Sequence, residues 1–327
     1  MLASGTVKSL MKMALCALAP ALAALPMTSR AEYPERRVNI IVPFTAGGAV
    51  DTIARLFAKH ASGSFKDGLI VTNKPGASAV IGESEVARSQ PDGYTVLIHS
   101  ATLAVNSVIY KTPAYDPSEL QPVAMLLTQP FLVVTNPESP AQNLQEMINI
   151  AKKTPQGILT ANAGSSTLLA GQLFRLAADI NLTVITYGSG PPAALSLMRN
   201  ETQLYITDLV SVAGHLKSGK IRALAVTTKD RIKDLPDIPT TAEAGLPAFQ
   251  AETFFGVYVR RGTPQHIVQK LNAEVAEFLK KPEVVKQIES LGAKPAPPMS
   301  VAAFEQYYAD QRALWKGVMV KANVPMQ

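Results

Sequence analysis

The segment from Val38 to Asp51 constrains this chain more than any other. Val38-Asn39-Ile40-Ile41-Val42 is a short apolar run rich in β-branched residues, which predicts a buried strand. From Val50 the period changes, and Val50, Ile53, Ala54, Phe57 and Ala58 recur at helical spacing. Between the two lies Gly47-Gly48, where the chain can turn sharply and its amides can approach a ligand unobstructed by side chains. The first amides of a helix lack internal partners, and the helix dipole places partial positive charge there. Strand, glycine turn and helix start together form a seat for an anion. A plain turn is the competing reading, since glycine turns serve many chains that bind nothing.

Residues 1–31 read as a secretory signal peptide. Lys8 and Lys12 precede the apolar stretch Met13–Leu25, and Ser29-Arg30-Ala31 offers a cleavage site after Ala31. The stretch is short and proline-interrupted for a membrane span. Cys16, the one cysteine, lies inside it behind Leu15, where a lipoprotein signal requires a small residue. The expected mature chain, Glu32–Gln327, then has neither a disulfide nor a thiolate nucleophile. Its 296 residues suit two ordinary domains or one large one. Export also changes the charge: 31 basic residues less Lys8, Lys12 and Arg30 leave 28 against 25 acids, a net +3. Arg36-Arg37 and Lys280-Lys281 are too short to make a nucleic-acid patch, so no nucleic-acid partner is expected.

Strand and helix alternate along the first half. Val38–Pro43, Leu69–Thr72 and Tyr94–Ser100 read as strands, with helices over Ala49–Lys59 and Ile81–Ser89 between them. Such connections imply parallel pairing with right-handed crossovers. A second α/β unit begins at the strand Phe131–Thr135. Strands over 158–161, 183–187, 204–207 and 222–228 alternate there with helices over 143–153, 168–178, 193–199 and 210–217. Phe254–Val259 is a strand again, and the tail is helical over 264–280, 282–291 and 300–321, with Pro264 and Pro282 opening helices and Gly292 closing one. The tail needs a surface to cover, and the first unit is the expected host. The chain would leave unit one near Phe131 and return near Phe254, making two crossings and a hinge. The expected division is lobe 1 over 32–130 plus 254–327, and lobe 2 over 131–253.

Several motifs recur in order along nearly the whole mature chain. They are Tyr33-Pro34-Glu35-Arg36, Pro43-Phe44-Thr45-Ala46-Gly47-Gly48 with Asp51, Asn73-Lys74-Pro75-Gly76-Ala77 and Pro91-Asp92-Gly93-Tyr94-Thr95. Gly219–Val226, Pro239–Gly245 and Gly262-Thr263-Pro264 follow, with Leu271-Asn272. Together they resemble the periplasmic solute receptors of tripartite tricarboxylate transporters, the Bug-type receptors. The resemblance implies an α/β, two-lobed periplasmic binding protein (type II-like), each lobe a mostly parallel sheet flanked by helices, hinged by two crossing strands. It further implies that Phe44, Thr45, Ala46, Gly47 and Gly48 hold a ligand carboxylate through backbone amides and ordered waters. For Asp51, ligand contact competes with a positioning or first-turn capping role.

On the second lobe, Gly164, Ser165, Ser166 and Thr167 follow a strand and open an apolar helix, where hydroxyls and amides can seat another polar group or simply cap the helix. Tyr187-Gly188-Ser189-Gly190 and Thr207-Asp208 stand at strand ends, where open sheets bind ligands, as do Ser100, Thr102 and Asn106 beyond the third strand. The chain departs from the family at Ala46, Ala79 and Leu168, where Pro, Gly and His are frequent, and at Thr207-Asp208, commonly Asp-Asn. These departures put ligand identity in doubt.

An enzyme is not expected. His60, His99, His215 and His266 show no metal-ligand spacing, and no Gly-x-Ser-x-Gly, phosphate-loop or dinucleotide fingerprint occurs. Neither cofactor nor metal is expected, and aromatic residues are only 6%, which disfavours recognition by ring stacking. The expectation is a monomeric periplasmic receptor that delivers a small carboxylate to the membrane permease subunits of a tripartite transporter. Alternatives are an orphan receptor presenting its ligand to a signalling partner and, ranked last, a hydrolase on the same scaffold.

Overall fold

The computed structural model describes residues 33–65 and 67–326. The signal peptide over 1–31, with Cys16, lies outside the described residues. Arg36–Gln327 forms one compact body.

That body is an α/β alternation. Strand β1 (Val38–Val42) leads to helix α1 (Ala49–Ala61), β2 (Leu69–Asn73), α2 (Val80–Ala87), β3 (Thr95–Ser100) and α3 (Thr102–Ile109). A 16-residue strand β4 (Leu120–Thr135) follows, then α4 (Leu144–Lys152), β5 (Ile158–Asn162), α5 (Ser165–Ala178) and β6 (Leu182–Thr186). Next come α6 (Gly190–Met198), β7 (Leu204–Asp208), α7 (Leu209–Lys217), β8 (Arg222–Val226) and β9 (Glu252–Arg260). The chain closes with α8 (Gln265–Lys280), α9 (Pro282–Ser290), β10 (Lys294–Pro295) and α10 (Val301–Lys321).

The sheet runs β2-β1-β3-β9-β4-β7-β5-β6, with β8 and β10 also paired to β4. β1, β2 and β3 are parallel, as are β5, β6 and β7. The two parallel groups meet through the antiparallel strands β9 and β4. β4 serves both: Leu120 to Pro130 pair with β9, and Phe131 to Thr135 pair with β7 and β8. Pro122 and Pro130 lie inside it and supply no ladder N–H, and its register shifts beside Pro122 and again past Met125.

Among the described residues, apolar faces meet in several cores, three of them central to the site. Ile41, Leu97, Tyr258, Phe304 and Trp315 join β1, β3, β9 and α10. Phe131, Met147, Phe174 and Phe249 fill one side of the second parallel group, and Leu132, Leu197, Tyr205 and Val226 the other. Each such side chain, fully buried, contributes about 1.5–3 kcal/mol. The helical tail packs on the first group, and it also reaches α5, where Arg175 donates to Ala322 O at 2.9 Å. Helices α1, α3, α5, α6 and α7 each follow a strand of these two groups, and residues of their first turns line the site.

Candidate functional site

A cavity of about 50 Å3 lies between the two parallel groups, lined on one side by Phe44, Gly48, Ala49, Val50, Ser100 and Thr102. Ala163, Gly164, Ser166, Thr167, Ser189, Gly190, Tyr205, Asp208 and Ser211 line the other, and Phe131, Thr253 and Phe255 come from the crossing strands. These residues include the first turns of α1, α3, α5, α6 and α7. Five helix N-termini, each carrying partial positive charge, therefore border one small space. The wall contains no lysine or arginine among the described residues. Ala49 and Val50 open α1, and their N–H groups have no acceptor among the described residues, as helix geometry dictates for first-turn amides.

The glycine turn is held by side chains behind it. Asp51 Oδ2 accepts from Gly47 N and Arg55 Nε, each at 2.9 Å, and Asp51 Oδ1 accepts from Asn73 Nδ2 at 2.9 Å. Asn73 Nδ2 also donates to Phe44 O at 3.0 Å, and Arg55 returns to Asn73 Oδ1 at 3.1 Å. Burial pushes the Asp51 carboxyl up, but the bonds from Arg55, Gly47 and Asn73 outweigh it and hold it below the ordinary aspartate range. Gly47, at φ +81°, takes a conformation that glycine adopts without strain.

The two sides touch directly. Thr45 Oγ1 and Ser189 Oγ lie 2.6 Å apart, Thr102 Oγ1 and Ser166 Oγ lie 2.9 Å apart, and Ser165 Oγ donates to Asn106 Oδ1 at 2.5 Å. A methyl on Gly164 would stand 3.4 Å from Thr102 Oγ1, so the halves approach closely there. Asn106 reaches further. Its Nδ2 donates to Glu83 Oε1 at 2.7 Å and to Ser78 O at 2.8 Å. Glu83 also accepts from Tyr115 OH at 3.0 Å and lies 2.9 Å from His99 Nε2, both side chains being fully buried. His99 in turn meets the Phe44 ring edge-on, with centroids 5.2 Å apart. Ser78 belongs to a left-handed turn, Ala77 to Ala79 at φ +47°, +51° and +82°, a conformation that costs residues with a Cβ about 1–2 kcal/mol each.

Asp208 is the wall's one acidic side chain. It caps α7, accepting from Ser211 N at 2.8 Å and Ser211 Oγ at 3.0 Å. Removal from water pushes its carboxyl above the ordinary aspartate range, since no cation compensates it. Thr253, also on the wall, is 3% exposed, and its hydroxyl has no partner among the described residues.

Of the residues expected at the site, Phe44, Gly48, Ser100, Thr102, Gly164, Ser166, Thr167 and Asp208 stand on the wall. Ala46 and Gly47 face outward, Asp51 lies behind the turn, and Thr45 and Ser165 are engaged across the cleft. Tyr187, Gly188 and Thr207 fall outside the wall, while Ser189 and Gly190 of the same expected segment stand on it, joined by Tyr205, which was not expected there. The shift has a cause: α6 begins at Gly190, with Pro191 and Pro192 in its first turn, three residues before the expected start. Those prolines are a readable helix-start signal. Ala49 and Val50 were readable too, as the opening residues of α1. No comparable local signal marks Thr253, which arrives through the register of β9.

Parallel β–α groups on either side of two shared strands, with a cleft at the strand ends, define a periplasmic binding protein. The profile described as tripartite tricarboxylate transporter family receptor matches residues 53–324, and the chain belongs to that family. It is similar to protein BugT of Bordetella pertussis, with 35% identity over 302 residues covering 90% of this chain and 92% of BugT. Among solved structures it resembles the periplasmic binding protein BugD, at 32% identity and TM-score 0.85, covering 90% of this chain and all of that one (100%). It also resembles R. palustris Rpa4515 with adipate, at 31% identity and TM-score 0.86, covering 89% of this chain and 99% of that one.

Proposed function

We propose that this chain is a periplasmic solute receptor that closes on a small carboxylate and presents it to membrane permease subunits made as separate chains. One observation carries the reading: five helix N-termini converge on a cleft whose described wall has no fixed cation. Aligned dipoles and open amides hold a carboxylate without the desolvation cost of burying lysine or arginine. In this reading the Ala49 and Val50 amides, with Phe44, Gly48, Ser100 and Thr102, grip the carboxylate, and Gly164, Ser166, Thr167 and Asp208 meet the rest of the ligand. The ligand class agrees with the adipate held by R. palustris Rpa4515. The lobes are 32–130 with 254–327 and 131–253, moving about β4 and β9. Closure removes water and so strengthens every dipole contact inside. The role is capture, not turnover.

Thermal denaturation of the mature chain against a panel of mono- and dicarboxylates tests this. A ligand specific to the folded state at a hundred times its Kd adds about 2.7 kcal/mol, which raises Tm. The expected shift survives a chelator. Failure of every acid to stabilise the protein, or chemical conversion of a bound acid, overturns the reading.

A further inference from the structure

Asp208 sets a condition on the ligand that the dipoles alone do not. It is the sole acidic group on the cavity wall and has no cationic partner among the described residues. Its two oxygens each accept one bond from Ser211, and a carboxylate oxygen can accept a second, so it has unused capacity for donors only. The Thr253 hydroxyl, on the same wall, is buried without a partner among the described residues, as is the side-chain amide of Gln129 opposite it on β4. Asp208 and Thr253 both line the cavity, so a ligand there can supply a bond to either. A second ligand carboxylate beside Asp208 would bring no donor of its own, and wherever Asp208 is ionised the two like charges would repel.

We propose that Asp208, with Thr253, selects small monocarboxylates that carry a hydrogen-bond donor, a hydroxyl or an ammonium, over plain dicarboxylates. This rests on the carboxylate-receptor reading above and narrows it.

Four three-carbon acids of one skeleton test the proposal by calorimetry on the mature protein: propionate, 3-hydroxypropionate, β-alanine and malonate. A donor-bearing acid is expected to bind at least tenfold tighter than both propionate and malonate, and comparison of 3-hydroxypropionate with β-alanine tells hydroxyl from ammonium. Asp208→Asn keeps the helix cap but removes the charge, and is expected to raise malonate affinity at least tenfold relative to the donor-bearing acid. Thr253→Val is expected to weaken the donor-bearing acid several-fold. Malonate binding tightest to the unaltered protein, or an unchanged preference in Asp208→Asn, overturns the proposal while leaving the receptor reading intact. If none of these acids binds and the wider carboxylate panel also fails, both fall together.

Discussion

Thr102 Oγ1 and Ser166 Oγ stand 2.9 Å apart across the cleft, each the side chain of a first-turn helical residue from a different half of the sheet. Thr45 with Ser189 and Asn106 with Ser165 repeat this pattern, so neutral hydroxyl and amide contacts join the two halves beside the cavity. Bonds of this kind are worth about 0.5–1.5 kcal/mol each, enough to bias an open–closed equilibrium without locking it.

Asn106 is the most connected member, since it also holds Glu83 and the left-handed turn at Ser78. Asn106→Ala is expected to weaken ligand binding about tenfold, by releasing the contact with Ser165 and leaving Glu83 short of a donor. Titration calorimetry reads the affinity. Small-angle scattering should show a larger radius of gyration for the ligand-free variant than for the parent.

Asp51→Ala is expected to destabilise the fold by about 3 kcal/mol, because it removes a buried acceptor shared by Gly47, Arg55 and Asn73. The pH dependence follows from a carboxyl held below its ordinary value of 3.8. The unfolded chain then binds the proton first, so the stabilisation is full above that value and is lost as pH falls through the folded one. Asp51→Asn should flatten this acid limb in denaturant melts taken between neutral pH and pH 2.

Asp208 has the opposite sign. Its carboxyl is pushed up by burial, so the folded state keeps a proton at pH values where the unfolded chain has lost it. Its contribution to stability therefore falls as pH rises from the ordinary value of 3.8 through the raised one. Asp208→Asn should remove that decline, leaving ligand-free protein at neutral pH at least as stable as the parent by urea unfolding.

Ala79→Gly is expected to stabilise the protein by about 0.5–1 kcal/mol, since Ala79 sits at φ +82°. Relief of left-handed strain exceeds the added freedom of glycine in the unfolded chain. The gain should appear as a Tm rise of about 1–4 °C.

Much of this architecture was legible from periodicity. The strand–turn–helix at Val38–Asp51 and the alternation after Phe131 appear within three residues of their expected bounds. Helix α3 was not legible, because Leu103, Ala104, Val105 and Ile109 are all buried and Thr102 and Asn106 are buried with them, so the helix has little polar face to reveal its period. The first eleven residues of β4 were hidden by Pro122 and Pro130, which argue against a strand locally and are tolerated only because bulges and neighbouring strands absorb them.

The site was half legible for a related reason. Residues at strand ends and helix starts announce themselves by turn chemistry, and Phe44, Gly48, Gly164, Ser166 and Asp208 were found that way. Thr253 and Phe255 are ordinary strand residues whose place on the wall depends on which strands cross and in what register. Asp51 was legible as a first-turn acid, but its hold on Gly47 depends on how the turn folds back.

The open amides of Ala49 and Val50 belong to the main chain, so replacing either residue changes a side chain and spares the donor. Mutation can thus rewrite preference through Asp208, Ser211 or Thr253 while affinity for an anion is inherited unaltered. A lineage built on such a turn can try new nutrients one substitution at a time without first losing the ability to bind any.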